Sequence, residues 1–130
     1  MEHDEIFHKV RDVLVESLAV GEDEVVPGAR LTTDLGAESI DFLDIKFQLE
    51  QVFGFKIEEG ELFPDNVAQD HEYVVDGTLT DKGLNALMER LPHVDFTDLK
   101  QDPRVSKVPE IFTVDTVVRF CTNKLQAQQS

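Results

Sequence analysis

An all-α bundle is the fold class this sequence predicts, and three observations predict it. Apolar residues recur at helical spacing in four separate stretches. Glycine and proline punctuate the segments between them. Alternation suited to strands is limited to a short run from Tyr73 to Leu79, and two strands alone make a marginal element. Helices are therefore expected near 3–18, 39–53, 80–91 and 113–125.

The first helix rests on Ile6, Val10, Val13, Leu14 and Leu18, with Phe7 flanking them. His3 and His8 on this helix are expected in solvent, with no metal-ligand cluster around them. Residues 21–38 read as a long loop with a turn at Pro27-Gly28. Val25, Val26, Leu31 and Leu35 are its expected apolar anchors. A loop of this length is uncommon unless it is packed or functional.

The most informative stretch is Asp34 to Ile57, DLGAESIDFLDIKFQLEQVFGFKI. Gly36 allows a turn, and Ser39 stands where an N-cap is expected, just before an apolar-periodic run. Asp41 and Asp44 place negative charge in the opening turns, where the helix dipole favours it. Gly54 is the expected stop, with Phe55 and Ile57 packing beyond it. Inside the helix the apolar residues make two stripes. Phe42, Ile45, Leu49, Val52 and Phe53 form a wide stripe, the expected core face. Ile40, Leu43 and Phe47 form a narrow one, to be packed on another helix or left bare beside Ser39.

Beyond Ile57 the sequence suggests one helical turn over Glu58–Phe63, stopped by Pro64, then polar loop over 65–72. The acids Asp65, Asp70 and Glu72 lack the spacing of a calcium loop, so no metal is assigned. Tyr73–Leu79 reads as a hairpin turning at Asp76-Gly77. Thr80 caps the next helix, Leu84, Leu87, Met88 and Leu91 form its face, and Pro92 ends it. Residues 92–110 read as connector, with Val94, Phe96 and Leu99 touching the core. Thr113 caps the last helix, whose buried side is Val114, Val117, Val118, Cys121 and Leu125; Phe112 packs at its start. Cys121 is expected as a small core hydrophobe.

The octad Asp34-Leu35-Gly36-Ala37-Glu38-Ser39-Ile40-Asp41 resembles the acyl carrier protein signature, usually D-L-G-x-D-S-L-D. The resemblance extends over residues 1–57 and the last helix. It implies an acyl-carrier-like bundle, with residues 58–110 an insertion that adds a helix, the whole 1–130 forming one domain. It also implies that 4′-phosphopantetheine is joined to Ser39 through a phosphodiester by a phosphopantetheinyl transferase. Acyl intermediates of fatty acid or specialised lipid synthesis would ride on the arm as thioesters. Ile40, Leu43 and Phe47 would be the apolar contact strip for partner enzymes, and Glu38, Asp41, Asp44 and Glu50 the acidic contacts for their basic patches. Glu38 and Ile40 depart from the usual aspartate and leucine, which suggests a tuned choice of transferase or partner. The inserted helix would either enlarge the core or lengthen a sleeve for a large acyl chain.

Composition agrees with that picture. The 130 residues carry a formal charge of −15, with the acids spread along the chain. Such a surface repels nucleic acid and anionic membranes and speeds encounter with basic protein patches. One cysteine makes an intramolecular disulfide impossible and fits a reducing, cytoplasmic setting. No signal peptide and no apolar run long enough to span a membrane is present in the sequence. A monomer without catalytic residues of its own is expected: Asp41 stands where a hydrolase elbow needs its second glycine. Two other classes share parts of the pattern. One is a peptidyl or aminoacyl carrier of a non-ribosomal pathway; the other is an acidic interaction module that is never modified.

Overall fold

In a computed structural model the chain is described over residues 2–58, 61–63 and 72–128, apart from the side chains of Ser39 and Pro109. The elements run α1 (His3–Leu18), a 3-10 turn (Glu22–Glu24), α2 (Ser39–Phe53), β1 (Val74–Val75), β2 (Thr78–Leu79), α3 (Asp81–Arg90), α4 (Thr97–Gln101), a second 3-10 stretch (Val105–Ile111) and α5 (Val114–Gln128). The fold is all-α, with one two-stranded hairpin. The expectation of polar loop over 65–72, with Asp65 and Asp70, falls on residues 65–71, outside the described residues; so does the stop at Pro64.

α1 packs on both α2 and α5. Ile6, Val10, Val13 and Leu14 of α1 are buried, as are Ile45 and Leu49 of α2 and Val114, Val117, Val118, Phe120 and Cys121 of α5. One apolar stripe per helix thus meets the others, which is how isolated amphipathic helices gain stability. Gly54, at φ +74°, closes α2 in the left-handed conformation that glycine tolerates best. Phe55 and Ile57 then turn inward, and Phe55 stacks on Phe53 at 5.5 Å. Burial pushes the Cys121 thiol up to about 12, so it stays protonated and serves as packing.

The long loop is built into the structure by main-chain bonds. Leu31 N–H donates to the Phe112 carbonyl (3.0 Å), Val114 N–H to that of Ala29 (2.9 Å) and Asp115 N–H to that of Pro27 (2.9 Å). The loop therefore lies antiparallel to the entry of α5, with a bridge at Arg30 and Thr113. Val25, Ala29, Leu31 and Leu35 are buried beneath it. Val26 is exposed, contrary to its expected anchoring role: consecutive residues of a non-helical segment do not share a side, and Val25 takes the inner one.

Residues 72–111 hold more structure than a connector. Leu79 N–H donates to the Pro103 carbonyl (2.7 Å) and Val105 N–H to that of Gly77 (2.9 Å), so residues 103–105 lie alongside β2. Two strands become stable by gaining this third neighbour. Thr80 Oγ1 caps α3 by accepting the Gly83 N–H (3.0 Å). Gly83 abuts the Tyr73 backbone, with no room for a Cβ. Leu87, Leu91, Val94, Phe96 and Leu99 are buried. The short helix α4 and the 3-10 stretch were not legible in residues 92–110, because neither is long enough to show an apolar period. Of these two elements Leu99 and Ile111 are buried. At α5, Thr113 Oγ1 accepts the Thr116 N–H and Thr116 Oγ1 accepts the Thr113 N–H, each at 3.2 Å. The helix runs to Gln128, three residues beyond the expected end.

His93 ties the insertion to the bundle. Its ring is buried, packs edge-on to Phe120 at 5.0 Å and bonds the Leu62 carbonyl through Nε2 at 3.1 Å. Next to it, Lys124 Nζ holds both oxygens of Glu61 at 2.9 and 2.7 Å. Burial holds the His93 ring below its ordinary 6.5, outweighing the Leu62 carbonyl and Glu61, which favour its protonation. For Glu61 burial acts upward, but Lys124, the Glu58 N–H and His93 together outweigh it and keep the carboxyl below its usual range.

Two outcomes follow from these environments. The unfolded chain takes up the His93 proton first, so the neutral-ring stability is intact above about pH 6.5 and declines as pH falls toward the folded-state value. Melting temperature should drop more between pH 7.5 and 5.5 in the wild type than in His93→Gln, measured by circular dichroism; equal drops refute the assignment. On α2, alanine at Ile45 or Leu49 should cost about 2–5 kcal/mol in urea unfolding. Alanine at Ile40, Leu43 or Phe47 should stay within about 0.5 kcal/mol.

Candidate functional site

The candidate site is the start of α2 and the turn that leads to it. Glu38 has the extended backbone of an N-cap (φ −112°, ψ 173°), and Ser39 is the first helical residue. Ser39 is thus not the cap that the sequence suggested. The cap falls one residue earlier because Asp41 Oδ2 accepts the Glu38 N–H at 2.8 Å, the i, i+3 half of a capping box. The hydroxyl of Ser39 lies outside the described side chains. Its neighbours define the setting: Glu38 is exposed and Ile40 is 73% exposed, while Ala37 is buried and anchors the turn.

The turn has its own bonds. Arg30 N–H donates to Asp34 Oδ2 (2.8 Å), and the Arg30 carbonyl accepts the N–H groups of Asp34 and Leu35, both at 3.1 Å. Gly36 N–H bonds the Thr32 carbonyl (3.1 Å), and Ala37 N–H bonds that of Leu31 (2.8 Å). Gly36 sits at φ +74°, a backbone shape that a side chain would strain. Asp34 and Gly36 of the octad therefore shape the approach to Ser39.

The two stripes of α2 separate. Ile40, Leu43 and Phe47 are 73%, 67% and 61% exposed, a bare apolar strip continuing from the helix start. Ile45 and Leu49 are fully buried, and Phe42 and Phe53 are half-buried against the core. Val52, expected in the core stripe, is 44% exposed. It stands at the edge of the arc centred on Ile45 and Leu49, past the part of the helix its neighbours cover. Phe42 packs on Phe63 (4.6 Å), which meets Phe112 edge-on (5.2 Å).

The acids named from the sequence do not behave alike. Asp44 is exposed, and its carboxylate accepts the Gln48 amide (2.8 Å), which also reaches Ser17 on α1 (2.9 Å). Asp41 is half-buried and caps the helix. Glu50 Oε2 accepts the Ile57 N–H at 2.8 Å and so fixes the chain leaving α2. Glu50 and Asp41 thus have structural work that a reading of charge alone missed. The i, i+3 spacing of Glu38 and Asp41 was the local signal for one; the other needed the fold.

The start of α2 fits a phosphopantetheine group. A 15-residue helix presents its first-turn N–H groups and positive dipole end at an exposed stretch of backbone, which favours a phosphodiester anion. Among the described residues no set of three or more His, Cys, Asp and Glu is placed to hold a metal. Clefts of about 240, 430 and 370 Å³ lie elsewhere, lined by the loop around Arg30, the inserted region and α5, with no α2 residue in their walls. Among the described residues no helix is long and apolar enough to cross a membrane.

Comparison with known proteins agrees with this geometry. Residues 8–69 match the family model described as the phosphopantetheine attachment site. An acyl carrier protein of Petrotoga mobilis is 44% identical over 62 residues, covering 48% of this chain and 73% of that protein. One from Borreliella burgdorferi is 40% identical over 76 residues, covering 58% of this chain and 88% of that protein. One from Coprothermobacter proteolyticus is 29% identical over 82 residues, or 63% of this chain, and is matched along its whole length. Covalent 4′-phosphopantetheine is the prosthetic group that goes with such an attachment domain. With its signature octad at the head of an exposed helix and these relatives matched over most of their length, the chain belongs to the acyl carrier protein family.

Proposed function

We propose that Ser39 bears the phosphopantetheine arm and that the protein carries acyl intermediates of fatty acid or specialised lipid synthesis from one enzyme to the next. The observation that carries this reading is the place of Ser39, at the first turn of α2 between exposed Glu38 and Ile40 and at the head of the bare strip. When attached, the arm supplies a thiol on which acyl groups are held as thioesters. The chain's own part is to offer the hydroxyl, place helix N–H groups near the phosphodiester and give partners an address.

That address is made of Ile40, Leu43 and Phe47, with Glu38, Asp41, Asp44 and Glu50 around them. Basic patches on a phosphopantetheinyl transferase and on acyl-synthesising or acyl-transferring enzymes are the complementary surface. The net charge of −15 accelerates such encounters at low salt. Glu38 and Asp44, the exposed pair, are the stronger contacts in this scheme, because Asp41 and Glu50 are already engaged by backbone N–H groups. The protein works as one cytoplasmic domain and as a monomer, with residues 58–110 inserted before the last helix.

Two measurements test the proposal. Co-expression with a phosphopantetheinyl transferase should add the arm to the wild type, read by intact mass, and Ser39→Ala should gain nothing while its circular dichroism stays unchanged. Modification of Ser39→Ala would overturn the assignment. With the loaded protein, alanine at Leu43 or Phe47 should lower kcat/KM of an acyl-loading partner by about tenfold, the cost of roughly 1.4 kcal/mol of lost contact. Unchanged kcat/KM in both variants would remove the strip from the docking surface.

A further inference from the structure

Arg30 joins the loop that carries Ser39 to the inserted region. Its own N–H and carbonyl close the turn through Asp34 and Leu35. Its backbone bridges Thr113 at the entry of α5, just beyond the insertion. Its guanidinium lies between two acids of the insertion: Nη2 is 3.8 Å from Asp98 Oδ2 on α4, and Nη1 is 3.7 Å from Glu110 Oε1 in the 3-10 stretch. Leu31, the next residue, accepts the Ala37 N–H at 2.8 Å, two positions before Ser39. One residue thus links the acids of the insertion to the turn that delivers the serine. Asp98 and Glu110 lie outside residues 8–69, the part of the chain that the family model matches.

We propose that Arg30 is a positioning residue for loading of the arm: Asp98 and Glu110 hold it, and it holds the turn 30–37 in the geometry that offers Ser39 to the transferase. This rests on Ser39 being the attachment point. The insertion then adds a side-chain brace to the serine loop, beside the main-chain bonds that already tie the loop to Phe112, Val114 and Asp115. Arg30 is partly exposed and Asp98 is mostly exposed, so water and salt screen the pairs. Their effect is accordingly a few-fold one and is sensitive to ionic strength. Lys107 Nζ lies 3.4 Å from the other oxygen of Glu110 and shares that carboxylate with Arg30.

The test uses the full chain with Arg30→Gln, Arg30→Lys and the double variant Asp98→Asn/Glu110→Gln. The first readout is amide hydrogen exchange in the unmodified protein. Exchange at Leu35 and Ala37 should rise two- to fivefold in Arg30→Gln and in the double variant, with Cys121 on α5 unchanged and Arg30→Lys close to wild type. The second is kcat/KM for transfer from coenzyme A by a purified phosphopantetheinyl transferase. It should fall two- to fivefold in the same two variants at low salt, and their gap from wild type should close in about 0.5 M salt, where exposed pairs are screened. Unchanged exchange, an effect in Arg30→Gln without one in the double variant, or faster exchange with unaltered loading would each overturn the proposal. A wild type that is never loaded would instead sink the Ser39 assignment, and exchange at Leu35 and Ala37 would still decide whether the brace exists.

Discussion

The half-burial of α2 is the constraint on which the rest of the molecule depends. Ile45 and Leu49 are sealed against the bundle, while Ile40, Leu43 and Phe47, on the same fifteen residues, stand in solvent. A lone helix of that length with two apolar stripes has no preferred side. The side is chosen because α1 packs on α2 and α5 together, and Gln48 bonds Ser17 at the flank. Once Ile45 and Leu49 are inside, the helix cannot bury the other stripe without giving up its core contacts. The exposed strip is thus a consequence of packing.

Around the start of α2, charge serves structure. Asp34, Asp41 and Glu50 each accept a backbone N–H, from Arg30, Glu38 and Ile57. Carboxylates that bond backbone in this way brace the turns that bound the helix on both sides. Glu38 and Asp44 remain outermost. What this arrangement offers is a fixed approach to α2 and a helix end suited to an anion.

Residues 72–111 are held to the bundle by different means. Residues 103–105 complete a small sheet with the hairpin, Gly83 lets α3 close on Tyr73, and His93 reaches the Leu62 carbonyl and Phe120. The entry of α5 pairs with the loop 21–38 through Phe112, Thr113 and Val114. The main-chain bonds between that loop and the entry of α5 run next to the segment that leads to Ser39. The entry of α5 therefore borders that segment without contributing to the strip on α2.

Much of this was present in the amino-acid order. Apolar period fixed the four long helices to within a few residues, the octad marked the start of α2, Gly54 marked its end, and Tyr73–Leu79 marked the hairpin. These are local signals, set by backbone preference and by which residues share a helix face. What only tertiary structure decided was non-local: that Val26 and Val52 stay outside, that α4 and the 3-10 stretch form, that Glu50 caps Ile57, and that Arg30 meets Asp98 and Glu110. An apolar residue at the margin of a stripe is buried only if a neighbour reaches it, and two charges far apart in the chain meet only where the fold brings them together. Local order names the candidates, and packing selects among them.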